Sequence, residues 1–315
     1  MRRAIALAWR SAGHTRPNPP VGAVVVKDGK VIGEGRHRRC GGDHAEVAAL
    51  KSCKVSPVGS TVYVTLEPCS KPGRVGACCE ALIAAGVRRV VWACRDPNPV
   101  NRGKAARILR RAGIETAHGL CAEEAGAVIR PFATHVTTGR PYVTVKLAMS
   151  LDGKICDDFG NARWISDSKS RRYTGRWREH VDAVMVGAET IRKDNPSLLC
   201  HTRRNDDLWR VVVSRSGKLP RNAQVFADAA KDRTLVFGDA AEALRELGRR
   251  GFMHVLCEGG LGLARSLAAA GHVDEWVVVL APIVIGKGPL VKAYRFMDGD
   301  LIAGCSRNEA PCLLD

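Results

Sequence analysis

The sequence predicts two α/β domains in tandem, and three observations lead to that reading. At roughly 100 to 200 residues per domain, 315 residues leave room for two hydrophobic cores. Along both halves, β-branched runs alternate with stretches of helical periodicity, the pattern of sheets covered by helices. Between the halves, VTTGRP at 136–141 is polar and turn-forming, and a fresh strand follows at once; this sets the expected boundary between residues 139 and 140.

The first half opens with VGAVVVKDGKVIGEG, two β-rich runs around a Lys-Asp-Gly turn, which reads as a hairpin. HAEVAAL has helical spacing, and TVYVTLEP is a strand stopped by Pro68. CCEALIAAG is a helix ending at Gly86, and RRVVWAC is the next strand. KAARILRRAG is a helix with a C-terminal glycine, and ETAHGL is a short strand. Strands alternating with helices after one hairpin imply a three-layer α/β/α sheet. The second half repeats the alternation: strands YVTVKLAMS, DAVMVG, WRVVVS and RTLVFG, helix AAEALRELGRRG, strand HVLCEGG, helix LARSLAAAG and strand EWVVVLAPIVIG. A final strand pair is expected within KAYRFMDGDLIAGC.

Composition narrows the class. Hydrophobic residues make up 45% and charged residues 26%, the balance of a folded globular chain. The longest apolar run, Trp276 to Gly286, spans 11 residues and contains Pro282, far short of the roughly 18 of a membrane span. MRRAIALAWR has six apolar residues between Arg3 and Arg10, too few for a signal peptide, so the expected location is the cytoplasm. Twelve irregularly spaced cysteines then read mostly as free thiols. The net charge of +17 is uneven. Residues 1–139 hold 22 basic and 10 acidic residues, whereas 140–315 hold 27 and 22. A phosphorylated small molecule and a nucleic acid are both compatible with a basic first half. The absence of any block of five Lys/Arg counts against a nucleic-acid face.

The chemistry concentrates in the first half. His44-Ala45-Glu46 is followed by Pro68-Cys69 and then Cys78-Cys79. One His and two Cys give three ligands to a tetrahedral zinc and leave the fourth position to water. Glu46, two residues beyond His44 at a helix start, is placed to shuttle protons without ligating. The order H-x-E…P-C is that of the zinc deaminases. A capping histidine and two core thiols would explain HAE alone, but not the combination. Nucleobase deaminases show P-C-x-x-C; here eight or nine residues separate Cys69 from Cys78 or Cys79, and the insert SKPGRVGA is basic and glycine-rich, suited to a phosphate or sugar. In the second half, Glu258-Gly259-Gly260-Leu261-Gly262 joins a strand to a helix, where a backbone can approach a pyrophosphate.

PNPPVGAVVV (17–26), GEGRH (33–37), HAEVAAL (44–50), TVYVTLEPCSKPGR (61–74), Cys78, ALIAAGV (81–87) and DPNP (96–99) together resemble the bifunctional riboflavin-biosynthesis deaminase/reductase family. KLAMSLDGKI (146–155), Trp164-Ile165, DAVMVGAETIRKDNPSL (182–198), the CEGG loop and VDEWVVVLAPIVIGKG (273–288) extend the resemblance through the second half. It implies a cytidine-deaminase-like domain at 1–139 and a dihydrofolate-reductase-like α/β domain at 140–315, the latter shortened at its C-terminus.

The implied activity is hydrolytic deamination of 2,5-diamino-6-ribosylamino-4(3H)-pyrimidinone 5′-phosphate, followed by NADPH-dependent reduction of ribosyl to ribityl. The resemblance makes His44, Cys69 and Cys78 the ligands of one zinc per chain and Cys79 a bystander, with Glu46 catalytic. Asn18 and Asn98 would hold the pyrimidine, and His37, Lys71 and Arg74 would lie by the ribose-phosphate. Ala148, Trp164, Thr190 and Asp194 would line the nicotinamide side; Glu258, Gly259, Gly260, Leu261, Gly262 and Leu263 would hold the pyrophosphate; Ser214 would meet the 2′-phosphate. Lys146, Arg178, Leu198 and Glu258 would border the reductase substrate. Lys71, Ala162 and His201, at substrate-binding positions, stand where the family usually has His, Ser and Arg.

The expected partner is a small phosphorylated pyrimidine, with no nucleic acid and no membrane, in a homo-oligomer (dimer or tetramer). Three other readings stand beside this one: a tRNA-type base deaminase, a deaminase with a weakened reductase, and a zinc-stabilised scaffold. The first leaves the second domain unexplained, and the last gives Glu46 no purpose.

Overall fold

The computed structural model describes residues 1–70, 76–155, 165–166, 168–200 and 206–285, and the backbone of 301–306. The chain forms two compact units, residues 1–139 and 140–315.

In the first unit, helix α1 (Arg2–Trp9) precedes the hairpin β1 (Gly22–Lys27) and β2 (Lys30–Arg36), turned at Asp28-Gly29. Then follow α2 (Ala45–Lys51), β3 (Thr61–Leu66), α3 (Cys78–Ala84), β4 (Arg89–Cys94), α4 (Lys104–Arg111), β5 (Glu115–His118) and α5 (Ala122–Thr138). The strand order is β2-β1-β3-β4-β5; β1 runs antiparallel to both neighbours, and β3, β4 and β5 are parallel. Successive strand residues point to opposite faces, and adjacent Trp92 and Ala93 show the result. Trp92 enters the core under α2, α3 and α4, whereas Ala93 packs with Ile5, Ala8, Ala125 and Val128 under α1 and α5. These are the three layers expected. α2 sits so close on β2 that a Cβ on Gly35 would lie 2.2 Å from Ala49 N. Glycine there lets the helix, and the residues at its start, settle onto the sheet.

The segment 136–141 was expected as a linker, but Val136 to Thr138 form the last turn of α5, which Gly139 closes with φ 75°.

The second unit begins with β6 (Tyr142–Ser150), α6 (Ser168–Gly175), β7 (Ala183–Gly187) and α7 (Ala188–Asp194). β8 (Trp209–Val213), α8 (Gln224–Ala227), β9 (Thr234–Phe237), α9 (Ala240–Arg249), β10 (His254–Cys257), α10 (Leu261–Ala269), β11 (Glu275–Ala281) and β12 (Leu301–Ser306) complete it. The order is β12-β11-β6-β10-β7-β8-β9, all parallel except β12. Val143, Val145 and Leu147 face a core shared with α9 and α10; Val184, Val186 and Val212 fill the opposite face. Beneath that second face Arg210, fully buried, donates two hydrogen bonds to the Asp228 carboxylate, at 2.6 and 2.9 Å. β11 stops at Ala281, five residues before the sequence suggested, because Pro282 has no N–H for the ladder. Of the expected final pair, β12 is one strand, antiparallel to β11; the stretch before it lies outside the described residues.

Candidate functional site

The first unit gathers its chemistry where β3 and the starts of α2 and α3 converge. His44 is the N-cap of α2, Cys69 follows the Pro68 that ends β3, and Cys78 is the first residue of α3. Their donor atoms all lie within 4.8 Å of one another. The nitrogen facing both sulfurs is His44 Nδ1, 3.2 Å from Cys78 Sγ and 3.6 Å from Cys69 Sγ. Cys78 N–H also donates to Cys69 Sγ at 3.2 Å. Hydrogen bonds from Cys78 and His44 pull the Cys69 thiol well below its ordinary range, while Cys78, paired with that sulfur and buried, is raised. One imidazole and two thiols in this arrangement fit zinc. Cys79 points elsewhere, onto the Pro68 carbonyl, and burial pushes its thiol up to about 12.

Glu46, in the first turn of α2, is buried beside these ligands. Burial, with Cys69 adding to it, pushes its carboxyl up to about 7. The site opens into a cavity of about 440 Å³ lined by Asn18, His37, Glu46, Cys69 and Asn98, all singled out in the sequence. His37, expected near the ribose-phosphate, lines the cavity with both ring nitrogens engaged by the protein. Its Nδ1 donates to the Asp43 carbonyl at 2.9 Å, and its Nε2 faces Asn18 Nδ2 at 3.1 Å. Lys71 and Arg74 lie outside the described residues.

The sequence reading missed several residues of this cavity. Glu67 accepts hydrogen bonds from three backbone N–H groups: Asp96 at 3.2 Å, Gly103 at 3.1 Å and Ala105 at 3.2 Å. It thereby ties down the loop that brings Asp96, Asn98 and Asn101 to the cavity. Asn101 donates to Asp96 Oδ2 and accepts from Ser70, next to Cys69. Phe132, His135 and Val136 of α5 supply another wall. Their i, i+3, i+4 spacing was the available signal.

In the second unit a cavity of about 530 Å³ opens at the carboxyl ends of β7, β8, β9 and β10. Ligands of open parallel sheets bind at such ends. Thr190, Ser214, Gly260, Gly262 and Leu263 line it, as do Arg215, Gly187, Gly238 and Asp239. A Cβ on Gly259 would lie 2.8 Å from Leu263 Cδ2 and 3.3 Å from Gly187 N, so glycine is what lets α10 start against β7. Ser214 Oγ is buried and, among the described residues, has no partner. An orphaned hydroxyl, an arginine and a glycine turn into a helix N-terminus form a donor set that fits a phosphorylated dinucleotide such as NADPH.

Beside the glycine turn, Arg178 grips Glu258 with two hydrogen bonds, at 2.8 and 3.1 Å, and donates to the Leu199 carbonyl at 2.9 Å. Half-buried Lys146, its pKa lowered by desolvation, lies in the field of Glu258 and Arg178. The structure thus brings together Lys146, Arg178, Glu258 and the Leu198–Leu199 turn. Ala148 lies two residues beyond Lys146 on the same face of β6. Leu261, the first residue of α10, and Asp194, exposed at the last position of α7, are not among the residues that line the cavity. Ala162, Trp164 and His201 lie outside the described residues.

Comparison with known proteins accounts for both units. Residues 1–94 match the cytidine and deoxycytidylate deaminase zinc-binding region, and residues 141–297 match the RibD C-terminal domain. Riboflavin biosynthesis protein RibD of Aquifex aeolicus is 38% identical over 312 residues, covering 91% of this chain and 87% of the relative. The Escherichia coli protein of that name is 36% identical, covering 91% and 88%. The crystal structure of the Thermotoga maritima diaminohydroxyphosphoribosylaminopyrimidine deaminase/5-amino-6-(5-phosphoribosylamino)uracil reductase superposes with a TM-score of 0.87 at 35% identity, covering 96% of each chain. The Acinetobacter baumannii RibD structure gives 0.84 at 34%, again covering 96% of each. With identity at this level along nearly the whole chain and both halves matched in order, the chain belongs to the RibD family of riboflavin biosynthesis, whose members are bifunctional deaminase/reductases with a zinc-binding deaminase domain.

Proposed function

We propose that residues 1–139 deaminate 2,5-diamino-6-ribosylamino-4(3H)-pyrimidinone 5′-phosphate and that residues 140–315 reduce the ribosyl group of the product with NADPH. The observation that carries the first step is a three-ligand His/Cys/Cys cluster with a buried carboxylate beside it, opening on a cavity large enough for a nucleotide-sized molecule. His44, Cys69 and Cys78 hold the zinc, which supplies a strong nucleophile at neutral pH by lowering the pKa of water to about 7.

Glu46 does the proton work. It takes a proton from the attacking water as the C–O bond forms, and hands one to the amino group as the C–N bond breaks. The ring gains a carbonyl and ammonia leaves. A carboxyl held near neutrality by burial is suited to both halves of this transfer. Asn18 and Asn98 orient the pyrimidine, and Glu67 keeps the Asn98 loop in place.

In the second unit NADPH, when bound, would supply the hydride that reduces the ribosyl group. Ser214 and Arg215 would hold its 2′-phosphate, and Gly260 and Gly262 would let its pyrophosphate approach the backbone. Lys146, Arg178 and Glu258 border the substrate, with the Arg178–Glu258 pair fixing the carboxylate beside the glycine turn. The chemistry there depends on positioning more than on a strong acid or base. No helix among the described residues is long and apolar enough to cross a membrane. The proposed setting is a homo-oligomer in the cytoplasm acting on a small phosphorylated pyrimidine.

The test is ammonia release from the diaminopyrimidine phosphate by purified protein, and NADPH oxidation on the deaminated product. Glu46→Gln keeps zinc and cuts deamination by about 10²- to 10⁴-fold, the usual cost of losing a general acid–base. Reductase turnover on pre-deaminated substrate stays unchanged. Deamination within threefold of the parent would refute the role of Glu46.

A further inference from the structure

We propose that α6 and the helical turn after it form a docking face for single-stranded nucleic acid, with Tyr173 stacking on a base and Lys169, Arg172 and Arg176 holding phosphates on either side. None of these four residues lines the cofactor cavity, and the face does not depend on the proposed deaminase and reductase activities.

SKSRRYTGRWREH (168–180) holds five basic residues and one acidic one. The expectation of no nucleic acid rested on the absence of consecutive cations; here they are spaced at helical intervals instead. α6 ends at Gly175, whose φ of −61° and ψ of −26° lead directly into a 3-10 turn, Arg176–Glu179. The side chains then sort into two sides. Arg171 and Arg178 turn to the protein: Arg171 donates to the Ser166 carbonyl, and Arg178 holds Glu258. Glu179, the one acid, is buried, and so is Thr174, which donates to the Ser170 carbonyl at 3.0 Å. Lys169, Arg172, Tyr173 and Arg176, at i, i+3, i+4 and i+7, share one side and are all exposed. Among the described residues no carboxylate pairs with any of the three cations. Like charges at i and i+4, as Arg172 and Arg176 are, weaken a helix by themselves, and an anion between them reverses that effect.

Tyr173 gives the face its chemical character. The residue is 48% exposed, and its ring meets Trp177 edge-on with centroids 6.0 Å apart. Trp177 in turn packs against the core that holds Val181 and Leu198. The ring is thus anchored to the protein on one side and open to solvent on the other, so little side-chain freedom is lost when a base stacks on it. At a rise of about 1.5 Å per residue, Lys169 and Arg176 bracket it along roughly 10 Å of helix.

An acidic peptide would use the cations and ignore the ring. An anionic membrane needs a wide apolar helix face, whereas Tyr173 is the only large apolar side chain exposed between 168 and 180. A single strand uses both features, because every base has a π-face and every linkage a charge. Bases paired in a duplex stack on one another and are closed to the ring. Helix α4 is the internal contrast. Arg107, Arg110 and Arg111 are exposed on it, but KAARILRR contains no aromatic residue. Two of its basic side chains are also occupied, Arg110 by Thr116 and Lys104 by the Val100 carbonyl. That face is basic and offers a base nothing to stack on.

The test is the fluorescence anisotropy of a labelled single-stranded RNA of mixed sequence, about 12 nucleotides long, titrated with the intact protein. The expected Kd is about 10⁻⁶ to 10⁻⁴ M near physiological salt. Three phosphate contacts give log K a slope of about −2 against log salt, so affinity falls roughly 20-fold between about 50 and 200 mM. Tyr173→Ala weakens binding roughly 5- to 150-fold, whereas Tyr173→Phe, which keeps the π-face, stays within about threefold. Arg172→Gln with Arg176→Gln brings the slope to about −0.7. The same loss of charge on α4, Arg107→Gln with Arg111→Gln, leaves affinity within about twofold. Saturating NADPH does not release the RNA. No binding at low salt, or unchanged affinity in Tyr173→Ala, would overturn the proposal. So would equal losses from the α4 and α6 pairs, which would mark net charge alone, and release by NADPH, which would put the RNA in the cofactor cavity. Polyglutamate competing as well as unlabelled RNA of equal charge would mark an acidic-peptide face instead and overturn it too. The salt slope, the NADPH arm and Tyr173→Phe keep the test decisive should Tyr173→Ala not fold.

Discussion

Replacing Glu67 by glutamine removes one negative charge and two lone pairs from the centre of the loop that carries Asn98. The carboxylate takes Asp96 N–H and Gly103 N–H on Oε2 and Ala105 N–H on Oε1. The last lies in the first turn of α4, where backbone N–H groups have no intrahelical acceptor. Glutamine can satisfy the two on one side, but its NH₂ then faces Ala105 N–H, donor against donor. A hydrogen bond to a charged group contributes about 1.5–3 kcal/mol, and the two that remain weaken when the charge goes. The expected loss is about 3 kcal/mol. At the few degrees per kcal/mol typical of a unit this size, the first unit's thermal transition falls by roughly 10 °C. With the loop loosened, KM for deamination rises more than kcat falls, since Glu67 takes no part in the proposed proton transfer and acts by holding the Asn98 loop. Thermal unfolding followed alongside ammonia release measures both. A transition within about 2 °C of the parent, with unchanged KM, would show that the loop does not depend on this carboxylate.

Metal analysis of Cys69→Ser should find the zinc lost, while Cys79→Ser, whose thiol rests on the Pro68 carbonyl, keeps it. Arg215→Ala should weaken NADPH binding and spare NADH, checked by titration of each; equal losses would remove Arg215 from the 2′-phosphate site. His254 gives the second unit an acid sensitivity. Burial holds its pKa at about 4, against about 6.5 unfolded, so between those values the unfolded chain binds the extra proton. Stability is therefore full above about pH 6.5 and falls by about 3 kcal/mol as pH drops to about 4; His254→Gln should flatten the dependence of Tm on pH across that window.

The zinc cluster and Glu46 were legible in the sequence because their chemistry tolerates few substitutes and their spacing follows a helix start and a strand end. Most strands and helices of both sheets were equally plain, set by β-branched runs and by glycines such as Gly113, in positive φ after α4. α5 was not. Pro131 lies inside it and β-branched threonines fill its last turn, so local propensity argues against a helix that burial of Ala125, Val128, Ile129 and Phe132 secures. Glu67 was also hidden. A single carboxylate after a strand has no periodic signature, and its value comes from backbone groups about 30 to 40 residues away in the chain, which only the fold brings to it. Asp194 came from the resemblance alone; no local pattern of its own in the sequence marked it, and it ends α7 exposed, outside the residues that line the cavity.

β6 is made first in its sheet but must wait for partners made much later. Its neighbours are β10 and β11, with Val143 beside Val255 and Val145 beside Trp276, more than a hundred residues downstream. While the ribosome is still adding those residues, an apolar strand waits with both edges open. The first unit faces no such delay, because its hairpin partners emerge within a few seconds of one another. The nascent chain thus carries a folded leading half ahead of an unfinished sheet, and its exposure to aggregation and its need for chaperone cover peak between the emergence of β6 and that of β11.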